Sequence, residues 1–279
     1  MELGFATAVS LELHHQRGGA VVRVALIGRG KMGSAVAEAA AEDGWEVCVQ
    51  FDSNRPFSAV QSRDELCNAA AIIDFSTAAA IEEHVRRCVE LRIPLVVGTT
   101  GANVRLDLLR AFVDERRGAV LYSPNFSVGV AILRRALRVS LALAAHLNDF
   151  DVSVHEVHHA AKRDRPSGTA RLLAEDIRRA LPWRYTAGDE LSRIMDLPDG
   201  PDVSSSRVGS VFGEHTIRLE GSDDQIVLQH VARSRRGFAA GALQAARWIM
   251  GRSGFFTMDD MLDDWIGHPS DVNSNHIEA

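Results

Sequence analysis

The chain has 279 residues, 46% of them hydrophobic and 24% charged, with 31 Lys and Arg against 37 Asp and Glu for a net charge of −6. That composition builds a globular fold long enough for two domains and excludes a chain disordered throughout. A pI near 6.0 and 6% aromatic residues provide no basic, stacking surface, so nucleic acid is not an expected partner.

Residues 1–21 carry Glu2, lack a basic n-region and break their apolar run with polar residues. They fit no secretory signal and read as a mobile extension ahead of the fold. The longest apolar segment, Val128 to Leu147, holds Arg134, Arg135 and Arg138 and reads as an amphipathic helix, not a membrane span, so no membrane partner is expected. Cys48, Cys67 and Cys88 are odd in number and have neither disulfide-framework nor CxxC spacing, which suits reduced thiols in a cytoplasmic protein.

From Val22 the pattern is strand, turn, helix, repeated. VVRVALIG is a buried parallel-type strand, and Gly28-Arg29-Gly30-Lys31-Met32-Gly33 opens an Ala-rich helix closed by Gly44. Strands EVCVQF, AAIIDFS, PLVVGTTG and AVLYSPN follow, with helices expected near 78–91 and 103–116. This alternation predicts a Rossmann-like, doubly wound parallel α/β sheet over residues 22–126. After Asn125 the pattern changes. A helix over about 127–146 precedes FDVSVHEVHH, whose alternation sets Val152, Val154 and Glu156 on one face. A helix from Ser167 to about Ala180, a loop over 182–206, and strands SSSRVGSVF, EHTIRLEG and QIVLQHVAR predict a second, α+β domain over 127–238 on a mainly antiparallel sheet. C-terminal helices over about 239–267 are expected to pack back on the first domain.

The glycine turn sits between a strand and a helix, where it lets a pyrophosphate approach backbone N–H groups. Asp52 lies 24 residues beyond Gly28, close to the offset of a ribose-binding carboxylate. Asp52 favours the 2′-hydroxyl of NAD, and the neighbouring Arg55 leaves NADP open. Gly98-Thr99-Thr100-Gly101 and Ser123-Pro124-Asn125-Phe126 fall at the carboxyl ends of later strands, where such sheets bind ligands. The densest chemistry is HEVHHAAKRDRPSGTA, from His155 to Ala170. Adjacent residues on a strand face opposite ways, so His158 and His159 are poor joint ligands and no metal is expected. An imidazole, a lysine and a Ser-Gly-Thr helix start point instead to acid–base chemistry on an anion.

The segments VALIGRGKMG, IDFS, VVGTTG, SPNFSVGV, EVHHAAKRDRPSGTA, VGSVFGEHT and HVARSRRGFAAGALQAARWI run in order through most of residues 22–251. Together they resemble the dihydrodipicolinate reductase (4-hydroxy-tetrahydrodipicolinate reductase) family of the bacterial lysine and diaminopimelate route. The HHxxKxDxPSGTA block is specific to that family; the glycine turn is not. The resemblance implies NADH- or NADPH-dependent reduction of a small-molecule dicarboxylate, with His158 as proton donor and Lys162 as its catalytic partner. It implies His159, Ser167, Gly168 and Thr169 as substrate-binding groups. Gly28, Gly30, Lys31, Met32, Gly33 and Asp52 carry over to the cofactor site. So do Phe75, Gly98, Thr99 and Thr100, and Ser123, Pro124, Asn125 and Phe126. A homotetramer built through the second domain is implied as well. Three features depart from the family pattern. The turn is one residue shorter, Thr77-Ala78-Ala79 stands where many members carry an arginine, and the stretch between Asp52 and Asp74 is shorter than in many members. Competing readings are another two-domain NAD(P)-dependent oxidoreductase of amino or keto acids, and a redox-sensing dinucleotide-binding module without turnover.

Overall fold

The computed structural model describes residues 21–99, 105–147, 150–182, 184–185 and 200–267. The first sheet contains β1 (Arg23–Ile27), β2 (Glu46–Phe51), β3 (Ala71–Asp74), β4 (Leu95–Val97) and β5 (Ala119–Tyr122), joined by β10 (Gly254–Phe256). Its order is β10-β5-β4-β3-β1-β2, and every pairing is parallel. Helices cover both faces, which is why these strands read as unbroken apolar runs. On one face Leu26, Ile73 and Val96 pack with Val36 and Ala40 of α1 (Lys31–Glu42) and with Ala242 and Ile249 of α6 (Arg236–Ile249). On the other, Ile72, Leu95 and Val97 meet Ile81 and Val85 of α2 (Ile81–Glu90) and Leu109 and Val113 of α3 (Leu106–Glu115).

The second sheet has the order β7-β6-β8-β9, from β6 (Asp151–His158), β7 (Asp202–Arg207), β8 (Gly213–Glu220) and β9 (Gln225–Ala232). β6–β8 and β8–β9 are antiparallel, while β7 joins β6 in parallel. Its inner face packs Val152, Val154, Ile217 and Leu219 against α4 (Val128–Ala144) and α5 (Gly168–Ala180). The arginines that interrupt the long apolar segment bind neighbouring helices. Arg134 Nε lies 2.7 Å from Asp176 Oδ2 on α5, and Arg138 Nη2 lies 2.9 Å from Asp259 Oδ2 on α7 (Met258–Gly267). Among the described residues no helix is long and apolar enough to cross a membrane.

The architecture follows the predicted Rossmann-like sheet and mainly antiparallel second sheet, with local differences. The expected loop over 182–206 ends in a strand, because Asp202–Arg207 pairs along Ser153–His158 of β6; residues 208–212, expected as strand, form a turn instead. β10 has only three residues, too few for any periodicity, and gains its strand geometry by pairing with β5. Residues 1–20, with the expected extension, lie outside the described residues.

α6 crosses the chain where it leaves the first sheet. A Cβ on Gly241 would stand 1.8 Å from the Phe126 carbonyl oxygen, so only glycine permits this approach. Gly241→Ala is expected to lower stability by about 2 kcal/mol through overpacking. A thermal melt showing Tm reduced by several degrees, against an unchanged Gly237→Ala control, checks it.

Candidate active site

The three glycines of the first turn have three different jobs. Gly28 has φ +100°, and a Cβ there would lie 2.7 Å from the Phe75 carbonyl oxygen, so it makes the tight turn. Gly33, in the first turn of α1, would drive a Cβ to 2.1 Å from the Gly28 oxygen, so it lets the helix close on the strand. Gly30 is the N-cap of α1 and a Cβ on it would meet nothing within 4 Å. The open space therefore lies at Gly30, beside the free N–H groups that start α1 at Lys31 and Met32, where a pyrophosphate fits. This arrangement suits a nicotinamide dinucleotide on residues of this chain alone.

Asp52 stands at the end of β2. Its Oδ1 accepts the N–H groups of Asn54 and Arg55, at 2.8 and 3.0 Å, and these bonds hold its pKa below the ordinary value. Oδ2 faces Arg29 Nε at 3.0 Å, so a ribose would meet a carboxylate already paired with a largely exposed cation. Further along the same sheet edge, Gly98 makes room for Phe75: a Cβ would come within 2.2 Å of that ring. Phe75 in turn packs edge-on against the buried Phe126, with ring centroids 5.8 Å apart. Thr99 is buried and its hydroxyl has no partner, while Thr100 lies outside the described residues. Ser123 braces its own turn by donating to the Asn125 carbonyl oxygen at 2.6 Å. Asn125 reaches across to the second sheet's domain, its Nδ2 donating to Thr169 Oγ1 at 2.9 Å.

On β6 the alternation that buries Val152 and Val154 also buries Glu156 and His158. Glu156 has no exposure, and its Oε1 accepts Ser167 N–H (3.0 Å), Ser205 Oγ (2.7 Å) and Arg207 Nη2 (2.9 Å). Burial alone would raise this carboxyl, but those hydrogen bonds prevail and hold its pKa at about 2. His158 Nδ1 lies 3.3 Å from Glu156 Oε2, and burial lowers the imidazole pKa below its usual value against the pull of that carboxylate. His215, on β8, stacks edge-on against His158 at 5.1 Å and is held neutral by burial, with a pKa of about 3.

Lys162 Nζ pairs with Asp164, 2.8 and 3.0 Å from its two oxygens. Ser167 lines the cleft at the expected anion turn, but its polar groups are already engaged. It is buried, its N–H is given to Glu156, and its Oγ caps α5 by accepting from Ala170 N–H. Gly168 and Thr169 follow it as the first residues of α5 in the same cleft wall.

One cleft of about 650 Å³ brings the two halves together. Met32, Phe75, Gly98, Pro124, Asn125 and Phe126 line it from the first sheet, and His158, His159, Lys162, Ser167, Gly168 and Thr169 from the second. Gly28 and Asp52 are not in its wall. The sequence reading missed Glu156, Asp164 and Arg207, the cleft residues His215 and His230, and Arg235, whose guanidinium lies 5.5 Å from the centre of the Phe212 ring. The motifs GEHT and HVARSRR held the last three without showing what they face. Among the described residues only Glu156, His158 and His215 have donor atoms close enough to share a cation, within 4.8 Å of one another. Arg207 on the same carboxylate opposes a cation there, so the cluster reads as acid–base machinery. A second cavity of about 710 Å³, at the opposite edge of the first sheet, is lined by Arg92 and Arg117. They directly follow the last turns of α2 and α3, where cations offset helix carbonyls.

Residues 22–126 match the N-terminal domain of dihydrodipicolinate reductase, and residues 129–262 match its C-terminal domain. The 4-hydroxy-tetrahydrodipicolinate reductase of Christiangramia forsetii is 31% identical over 248 residues, spanning 87% of this chain and 98% of the relative. The chain belongs to the dihydrodipicolinate reductase family. The Archaeoglobus fulgidus 4-hydroxy-tetrahydrodipicolinate reductase agrees, 35% identical over 261 residues, with 87% and 100% covered. The fold is also that of the dipicolinate-bound dihydrodipicolinate reductase of Paenisporosarcina sp. TG-14, with a TM-score of 0.70 at 22% identity over 87% of this chain and 100% of that one.

For a dihydrodipicolinate reductase with this turn, Gly30→Val should weaken NADH and NADPH by tenfold or more, about 1.4 kcal/mol, while leaving Tm unchanged. Gly28→Val should lower Tm itself, since the strain is internal. Fluorescence titration beside a thermal melt separates the two. The depressed Glu156 carboxyl predicts a further outcome. Its contribution to stability is present above the unfolded pKa near 4.5 and is lost as pH falls toward about 2. Glu156→Gln should flatten the acid limb of a stability–pH curve over that window.

Proposed function

We propose that the protein reduces 4-hydroxy-tetrahydrodipicolinate to tetrahydrodipicolinate in lysine and diaminopimelate biosynthesis, using NADH or NADPH. The observation that carries this reading is the shared cleft: a buried imidazole, a lysine and an open helix start on one wall face the nicotinamide end of a dinucleotide site on the other. Bound nicotinamide supplies the hydride. Everything else falls to this chain's own residues. Gly168 and Thr169 offer N–H groups at the positive end of α5 to one carboxylate, and Lys162 adds a full charge once it leaves Asp164. His159 borders the same subsite. The 4-hydroxyl leaves as water to give the conjugated imine, and the hydride is added at the carbon that carried it. The negative charge that develops on the adjacent ring carbon is quenched by a proton from His158. Arg29, paired with Asp52, and Arg55, whose guanidinium lies over the Phe51 ring, give the adenosine end a partner for a 2′-phosphate beside one for a 2′-hydroxyl.

Neither competing reading accounts for the cleft as well. A sensor without turnover needs no proton donor, and a general amino- or keto-acid dehydrogenase needs no second-domain anion turn of this kind. The three free cysteines fit a cytoplasmic setting. The edge strand β9 exposes Ile226, Val227 and Val231, which supports a homotetramer assembled through this sheet. Light scattering on the purified protein tests the assembly.

Oxidation of NADH or NADPH in the presence of enzymatically generated 4-hydroxy-tetrahydrodipicolinate tests the reaction, and no oxidation with either cofactor would reject it. His158→Gln should lower kcat by about 10²–10⁴-fold with cofactor affinity kept. Because the acid must be protonated, kcat/KM should fall as pH rises through the lowered pKa of His158 in the free enzyme. The kcat limb should lie at higher pH, since a bound dicarboxylate favours the imidazolium. Lys162→Ala should weaken pyridine-2,6-dicarboxylate by about 5–30-fold, a charge-assisted bond less the exposed pair it replaces. Calorimetry on the cofactor-saturated protein measures it.

A further inference from the structure

We propose that Glu156 is the positioning residue of the proton donor, setting the ring orientation and tautomer of His158 and tying it to the first turn of α5. The proposal rests on His158 being the proton donor in the reaction above. Its ground is an imbalance within one carboxylate. Glu156 Oε1 takes three hydrogen bonds, from Ser167 N–H, Ser205 Oγ and Arg207 Nη2, whereas Oε2 is buried with none. The buried atom facing it is His158 Nδ1, which also lacks a partner, 3.3 Å away. His215 Nε2 stands next, at 3.7 Å, but Ser167 Oγ already engages it at 3.2 Å. A proton on Nδ1 therefore meets the carboxylate, and Nε2 is left for the cleft, where a Cβ on Gly213 would lie 3.1 Å from it. Glycine at that position keeps the approach clear.

The groups facing His158 from every side are Glu156 on its own strand, Lys162 and Asp164 on the loop that follows, Arg207 on β7 and His215 on β8. His230 lies beyond His215. Glu156 and Asp164 favour the imidazolium; Lys162 and Arg207 oppose it. Glu156 is the nearer carboxylate and the only one with no exposure. Its third bond makes the arrangement more than an ion pair. By holding Ser167 N–H, the same carboxylate fixes where α5 begins and so where Gly168 and Thr169 stand relative to the imidazole.

The test is Glu156→Gln, read first by imidazole ¹⁵N NMR, which needs no substrate. The His158 pKa should fall by about one unit or more and the Nδ1–H tautomer should lose its preference. In turnover, kcat should drop by about 10–100-fold, with its alkaline limb moved to lower pH and KM changed by less than about threefold. Glu156→Asp, which keeps the charge, should restore the position of the limb. Ser205→Ala, which removes one bond to the same carboxylate, should lower Tm and leave the His158 pKa in place. Should the single variant fail to fold with Arg207 unpaired, Glu156→Gln/Arg207→Met removes both buried charges and the tautomer is read there. An unchanged His158 pKa and tautomer in a folded variant would overturn the proposal and leave Glu156 a structural partner of Arg207. If the parent protein reduces no substrate while the NMR shift is present, the reaction assignment fails and the positioning role stands.

Discussion

A charged carboxylate with no access to water must find its solvation inside the protein, and Glu156 draws it from four elements. β6 carries it, β7 contributes Ser205 and Arg207, α5 contributes the Ser167 N–H, and β8 brings His215 alongside. The one parallel pairing in an otherwise antiparallel sheet serves this demand. The chain returns from α5 to lay Asp202–Arg207 along β6, which puts Arg207 over the carboxylate with 2% of its own side chain exposed. The imidazole, the start of α5 and the parallel strand β7 thus converge on the same buried charge.

The two sheets meet through backbone contacts as well as side chains. Gly241 brings α6 against the Phe126 carbonyl at the exit from the first sheet, and Asn125, one residue earlier, holds Thr169 across the cleft. Among the described residues, the carboxyl edge of the first sheet and the start of α5 are linked by this hydrogen bond at the point where the chain passes from one domain to the other. Side-chain carbonyl Oδ1 of the same asparagine accepts Ser127 N–H and starts α4, so its rotamer is fixed from both ends.

Local signals in the sequence were enough for the first five strands of the first sheet. Unbroken apolar runs and glycine turns are written within a few residues of where they fold, and the Gly28–Gly33 turn stands between strand and helix as its spacing implies. What stayed hidden depends on distant partners. The alternation of β6 put Glu156 on the buried face, yet its role is set by Ser205 and Arg207, 49 and 51 positions away. β7 was placed too late, as SSSRVGSVF, because its serine run has no apolar period to fix where pairing starts and stops, and β10 was obscured by its shortness. Ser167 was legible as a helix cap. That its N–H is already engaged could be read only once β6 and α5 were placed together.

The ion pair of Lys162 with Asp164 has a consequence for the pace of turnover. A lysine that stood bare would gain the whole of its interaction with an arriving carboxylate, whereas this one gains only the difference between two partners. Substrate and product of the proposed reaction are both dicarboxylates, and a grip strong on one would be strong on the other. In the proposed reaction Asp164, two residues away, would reclaim the ammonium as the product departs, shallowing the well in which either dicarboxylate rests and trading residence time for exchange.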